Sequence, residues 1–173
     1  MKKSSKNTAN YAFIDSQNLY LGVKSQGWKL DYNRFMVYLK DKFKVERAFI
    51  FIGYLAGNEA LYTRLQQAGF VVVFKPTLEI KKNGKIFVKG NVDAELVLHA
   101  MIEYDNYHKA VIVTGDGDFH CLVEYLDQNN KFLKLLVPNR NGFSALLRKF
   151  GKYVVFMSAL RSKLSLNKKR ARY

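Results

Sequence analysis

Six short apolar runs punctuate the chain, each closed by polar or turn residues: Tyr11–Ile14, Ala48–Ile52, Phe70–Phe74, Ala110–Val113, Phe132–Val137 and Tyr153–Met157. They are apolar nearly throughout rather than alternating, which suits strands buried on both faces of a parallel sheet. Helical spacing fills the gaps. Tyr32, Phe35, Met36, Leu39 and Phe43 recur at three- and four-residue steps, and so do Ala60, Leu61, Arg64, Leu65 and Ala68, ending at Gly69 where a C-cap is expected. Leu96, Val97, Ala100, Met101 and Tyr104 mark a third helix, and Cys121, Leu122, Tyr125 and Leu126 a fourth. Strand alternating with helix predicts an α/β three-layer domain with right-handed connections. The stretch Leu78–Lys89 interrupts the alternation: two short strands around Asn83-Gly84 predict a projecting β-hairpin just before the third helix. No internal repeat or linker divides the chain. The expected layout is a basic flexible N-terminal tail over 1–10, one domain over 11–160 and a basic C-terminal tail over 161–173.

Charge sharpens this picture. The 173 residues carry a net charge of +15, and nine of those charges sit in the two tails, which hold no acid. Such an excess makes an acidic macromolecule, most simply nucleic acid, the leading partner, with the tails as arms that grip phosphates. The lone cysteine, Cys121, excludes a disulfide framework and any multi-cysteine zinc site, and is expected to be a small buried hydrophobe. No apolar run approaches membrane-spanning length, and the basic start Met1–Ser5 has no apolar stretch behind it, so a soluble cytoplasmic protein with no membrane partner is expected.

Acids at strand ends are the unusual feature. Asp15 directly follows the first apolar run. Asp116 and Asp118 sit in Thr114-Gly-Asp-Gly-Asp118 directly after the fourth, and Asp93 stands at the expected start of the third helix. In an open α/β sheet, ligands collect beyond the carboxyl ends of the strands where the strand order reverses. If the first and fourth strands are neighbours there, Asp15, Asp116 and Asp118 converge, and Asp93 joins them. Carboxylates so close repel unless a cation neutralises them, and an oxygen-only donor set favours Mg²⁺ or Mn²⁺. Such an ion activates water and stabilises charge on a phosphodiester. The plainer reading of any one of these aspartates is a helix cap or turn residue.

Phe13-Ile-Asp-Ser-Gln-Asn-Leu19, Lys89-Gly-Asn-Val-Asp93 and Thr114-Gly-Asp-Gly-Asp-Phe119 resemble, in order and spacing, the signature segments of the NYN domain family of the PIN-like nuclease superfamily. The resemblance covers Tyr11 to Met157. It implies a Rossmann-like, mostly parallel sheet with central order 3-2-1-4-5, to which the residues add a sixth strand and the hairpin. It also implies a metal-dependent ribonuclease site in which Asp15, Asp93, Asp116 and Asp118 are the catalytic and metal-binding acids. Asn18 matches the polar partner of the first acid, and Thr114 a hydroxyl position ahead of the third. Many relatives carry a further Asp where this chain has His99.

RNA contacts are expected from Lys89, from Arg140 in the loop after the fifth strand, and from Lys168, Lys169 and Arg170 in the tail. Tyr20, Trp28 and Tyr32 interleave with lysines in a manner that suits single-stranded RNA, and suits equally a solvated lysine-rich face over core aromatics. The expected function is a Mg²⁺- or Mn²⁺-dependent endoribonuclease acting on single-stranded or loop RNA. The alternative is an RNA-binding or regulatory module of the same fold with little turnover, and a homodimer is left open. A haloacid-dehalogenase-type phosphatase is disfavoured, because it needs Asp-x-Asp after the first strand and Gln17 stands in the second position.

Overall fold

The computed structural model describes residues 9–75, 78–82, 85–89 and 92–166, the stretches between 78 and 89 as backbone. Strands β1 (Asn10–Asp15), β2 (Val45–Gly53), β3 (Val71–Lys75), β6 (Ala110–Val113), β7 (Phe132–Val137) and β8 (Val154–Phe156) form one six-stranded sheet in the order β3-β2-β1-β6-β7-β8. Every pairing in it is parallel. Strands β4 (Leu78–Lys82) and β5 (Lys85–Lys89) pair antiparallel in a separate two-stranded sheet, the expected hairpin. Counting only the large sheet, the order is 3-2-1-4-5-6: the central order is the one the family resemblance implies, and the sixth strand joins at the β7 edge.

The central strands explain why their sequences are apolar without alternation. In β1, Tyr11 and Phe13 enter one core and Ala12 and Ile14 the other; in β6, Ile112 enters the first and Val111 and Val113 the second. The first core is closed by α4 (Asp93–Ile102) and α5 (His120–Gln128), through Leu96, Ala100, Leu122 and Leu126. The second is closed by α1 (Ser16–Lys24), α2 (Tyr32–Phe43), α3 (Glu59–Gln67) and the short α6 (Arg161–Leu164), through Leu19, Val23, Phe35, Leu39, Leu65 and Leu164. The α3 helix ends as its sequence requires, since Gly69 takes φ +97° just past the last turn.

Several details depart from the sequence reading. Apolar spacing does not signal helix α1, because only Leu19 and Val23 of its nonpolar side chains are buried. Cys121 is exposed, not buried: α5 turns Leu122, Val123 and Leu126 inward, leaving Cys121 on the outer face. Trp28 is a core residue and Tyr32 packs edge-on against Phe70, so of the three aromatics expected beside the lysines only Tyr20 is exposed, with Lys24 Nζ 5.3 Å from its ring centre. The fold also takes in residues on both sides of the expected domain. Leu164 is buried, Ser165 bridges to Leu30, and Asn10 is the first residue of β1.

Asn10 ties three elements together. Its buried side chain donates to the Phe43 carbonyl at 2.7 Å and accepts from the Lys109 N–H at 3.0 Å. Replacing it with alanine leaves both backbone groups without their partner, at a cost of about 1–3 kcal/mol. Asn10→Ala should therefore lower the urea midpoint of unfolding without changing the m-value.

Candidate metal centre

The strand order reverses between β1 and β6, the place in an open α/β sheet where a ligand crevice lies beyond the carboxyl ends of the strands. The register pairs Ile14 with Val113, so one step further brings Thr114 level with Asp15. Asp15 ends β1 and caps α1, its Oδ1 accepting from the Asn18 N–H at 3.0 Å. Its Oδ2 accepts from the Thr114 hydroxyl at 3.3 Å. The Thr114 oxygen in turn accepts from the Asp116 N–H at 3.1 Å, and Asn18 Oδ1 accepts from the Gly115 N–H at 2.9 Å. Asp116 caps the following turn by accepting from the Asp118 N–H at 3.0 Å. Asp15 and Asp116 are thus caps, as the plainer reading of each has it, and of these two only Asp116 also belongs to a group of three close carboxylates.

Asp93, in the first turn of α4, completes the group. One carboxylate oxygen each from Asp93, Asp116 and Asp118 lies within 4.8 Å of the others. Asp93 and Asp116 are half-buried and Asp118 is exposed, so the group opens to solvent on one side. Asp15 stands beside this triad with both oxygens engaged by Asn18 and Thr114. An oxygen-only set of three carboxylates at this spacing fits a hard divalent cation such as Mg²⁺ or Mn²⁺.

Two glycines let the acidic loop sit this low. A Cβ at Gly115 would meet the Gly142 carbonyl oxygen at 2.9 Å, and one at Gly117 would meet Ser144 Oγ at 2.3 Å. The 138–144 loop is therefore packed onto the acidic loop, with the Ser144 N–H donating to the Gly115 carbonyl at 3.0 Å. Arg140, carried by the same loop, is exposed and holds its guanidinium 4.9 Å from the centre of the Phe156 ring. His99 is packed: its ring lies 5.3 Å from that of Phe51, and its Nδ1 is 3.0 Å from the Glu95 carbonyl oxygen. The Lys89 side chain and residues Lys168, Lys169 and Arg170 lie outside the described residues.

Burial, with Asp15 only 5% exposed, pushes its carboxyl up to about 6, against the pull of the Asn18 N–H and the Thr114 hydroxyl. The charges on Asp93 and Asp116 push it up as well. In the folded chain this group holds its proton to a higher pH than in the unfolded chain. Its stabilising protonation is complete below about pH 4 and is lost as pH rises through about 6. Asp15→Asn keeps the cap acceptor and removes the charge. In EDTA at pH 7.5 it should be more stable than the wild type by roughly 2–3 kcal/mol, with the gap closing as pH falls to 4. Urea unfolding at the two pH values checks this.

Comparisons with known proteins agree with this architecture. The chain is 28% identical over 121 residues to the low amplitude and bright protein LabA of Synechococcus elongatus, an alignment covering 66% of this chain. The chain spans 65% of that relative's length. Its fold is similar to the crystal structure of VPA0982, a protein of unknown function from Vibrio parahaemolyticus, with a TM-score of 0.74 at 24% identity over 95% of this chain and 99% of that one. The NYN domain model matches residues 11–163, nearly the whole described fold and all four acids, so this chain belongs to the NYN domain family, with its PIN-like nuclease fold.

Proposed function

We propose that the protein is a divalent-metal-dependent ribonuclease that cuts within single-stranded or loop RNA. The observation that carries this reading is the convergence of Asp93, Asp116 and Asp118, from two separate segments, at the crevice between β1 and β6. Membership of a nuclease-like family supports it. In this reading Asp93, Asp116 and Asp118 hold a Mg²⁺ or Mn²⁺ ion. Bound there, the ion would supply a Lewis acid that activates water and steadies charge on a phosphodiester. Asp15 is the positioning acid: it fixes the Thr114 hydroxyl, and Thr114 fixes the backbone of Asp116. RNA is gathered by the surplus of basic residues, among them Arg140, Lys89 and the tail cations Lys168, Lys169 and Arg170. Among the described residues no helix is long and apolar enough to cross a membrane.

Two measurements test the reading. Asp116→Asn replaces a charged oxygen ligand by an amide of the same shape. Mn²⁺-dependent cleavage of labelled single-stranded RNA should fall by several orders of magnitude, each tenfold being about 1.4 kcal/mol of barrier, while RNA binding survives. Wild-type protein without Asp116-sensitive cleavage under either metal would instead favour a binding module. Removing residues 167–173 leaves α6 in place and deletes Lys168, Lys169, Arg170 and Arg172. The slope of log affinity against log salt should flatten by up to about 0.7 for each phosphate that the shortened chain no longer neutralises.

A further inference from the structure

At the ends of β2 and β3 a cluster of rings faces solvent. Tyr54 is 45% and Phe74 39% exposed, and their centroids lie 5.8 Å apart. Both rest on the buried ring of Tyr62, at 5.8 and 4.8 Å. Tyr62 is itself anchored: its hydroxyl accepts from the Leu55 N–H at 2.8 Å and donates toward the Leu55 carbonyl at 3.2 Å. The two exposed rings are thus braced from beneath, so ordering them costs little when a ligand arrives.

Their position relative to the acids is set by register. Asp15 is level with Phe51 of β2, and Tyr54 stands three residues further along the same strand direction. That carries the chain about 10 Å past the carboxylates, one strand spacing of about 5 Å to the side. Pairing continues to the end, with the Tyr54 N–H donating to the Lys75 carbonyl at 2.9 Å. The ends of β2 and β3 therefore rise as a wall beside the acidic crevice. Phe74 faces the α3 side of this wall. Lys75 faces the α4 side, its Nζ at ion-pair distance, 3.1 Å, from Glu95 Oε2. Glu95 is two residues from Asp93. A strand leaving the carboxylates over this wall passes the Lys75–Glu95 pair and then the rings.

We propose that Tyr54 and Phe74, whose planes stand at 82°, form a corner in which an unpaired nucleobase of single-stranded RNA stacks on one ring and meets the other at its edge, one or two nucleotides from the phosphodiester at the carboxylates. The placement of that phosphodiester rests on the nuclease reading above. A ring face accepts any base, so the corner adds affinity without sequence preference, and it excludes duplexes because their bases are already stacked inward. The charge of +15 and the sheet edge shared with the acids favour RNA over a protein segment as the occupant.

The test is binding in EDTA, where no cleavage occurs, of end-labelled single-stranded RNA to the full chain, read by fluorescence anisotropy. Tyr54→Leu and Phe74→Leu keep apolar bulk and lose a ring face. Each should weaken binding by about tenfold and leave duplex affinity unchanged. Tyr54→Trp should bind as well as the wild type or better, and it keeps the test decisive should a leucine variant fail to fold. With a strand that is abasic at every position, the difference between wild type and the leucine variants should vanish. Folded leucine variants that bind like the wild type, or that lose duplex and single-strand affinity equally, would overturn the corner and point to a protein partner on this face. Stacking without cleavage under added Mn²⁺ would sink the nuclease reading and leave the corner. Cleavage with unaffected leucine variants would do the reverse.

Discussion

Asp15 is a buried carboxylate that feels two other acids, and the fold accepts it only because the Asn18 N–H and the Thr114 hydroxyl hold its oxygens. This knot joins the end of β1 to the end of β6 at the point where the sheet changes direction. Everything acidic hangs from it. Thr114 passes the constraint to Asp116, Asp116 passes it to Asp118, and Asn18 fastens Gly115 from the other side. Removing the knot would leave the acidic loop free to let its charges move apart, which like charges favour. The site is therefore a place where the fold holds repelling groups together, and a divalent cation is the natural means of offsetting that repulsion.

The surrounding charge runs the other way. The chain is strongly basic overall, while four acids meet at one sheet edge. A polyanion is drawn toward the protein as a whole and repelled locally by the crevice, unless a cation fills it. Under the proposed function, phosphate binding at the crevice would depend on metal while binding elsewhere would depend on lysine and arginine. The two contributions respond to different variables, divalent concentration and ionic strength, and so are separable.

The parts of the architecture that rest on local pattern are legible in the sequence. β1 and β6 are buried on both faces and therefore read as continuous apolar runs, and the acids at their ends announce the crevice. The hairpin is legible from Asn83-Gly84, and α3 from its apolar spacing and Gly69. What escapes depends on tertiary neighbours. Helix α1 buries only two nonpolar side chains, so its best signal is Asp15 as a cap, a signal equally consistent with a functional acid. Cys121 lies one position off the buried stripe of α5, an offset that residue type alone does not reveal. Trp28 reads equally as an RNA-facing or a core aromatic because lysines surround it in sequence, and its burial settles it as core. Phe74 ends one apolar run and Tyr54 lies two residues past another, so both look like more core. Only the register, which carries β2 and β3 past their neighbours, exposes them.

If the hydrogen-bond knot shapes Asp93, Asp116 and Asp118 into a divalent-metal site, a manganese ion should settle among them. The most direct measurement is an anomalous difference map from crystals of the wild-type protein grown with Mn²⁺. One strong peak is expected within coordination distance of oxygens from all three residues, with Asp15 still bonded to Thr114. Crystals saturated with Mn²⁺ that show no peak there, or a peak at some other set of residues, would contradict it.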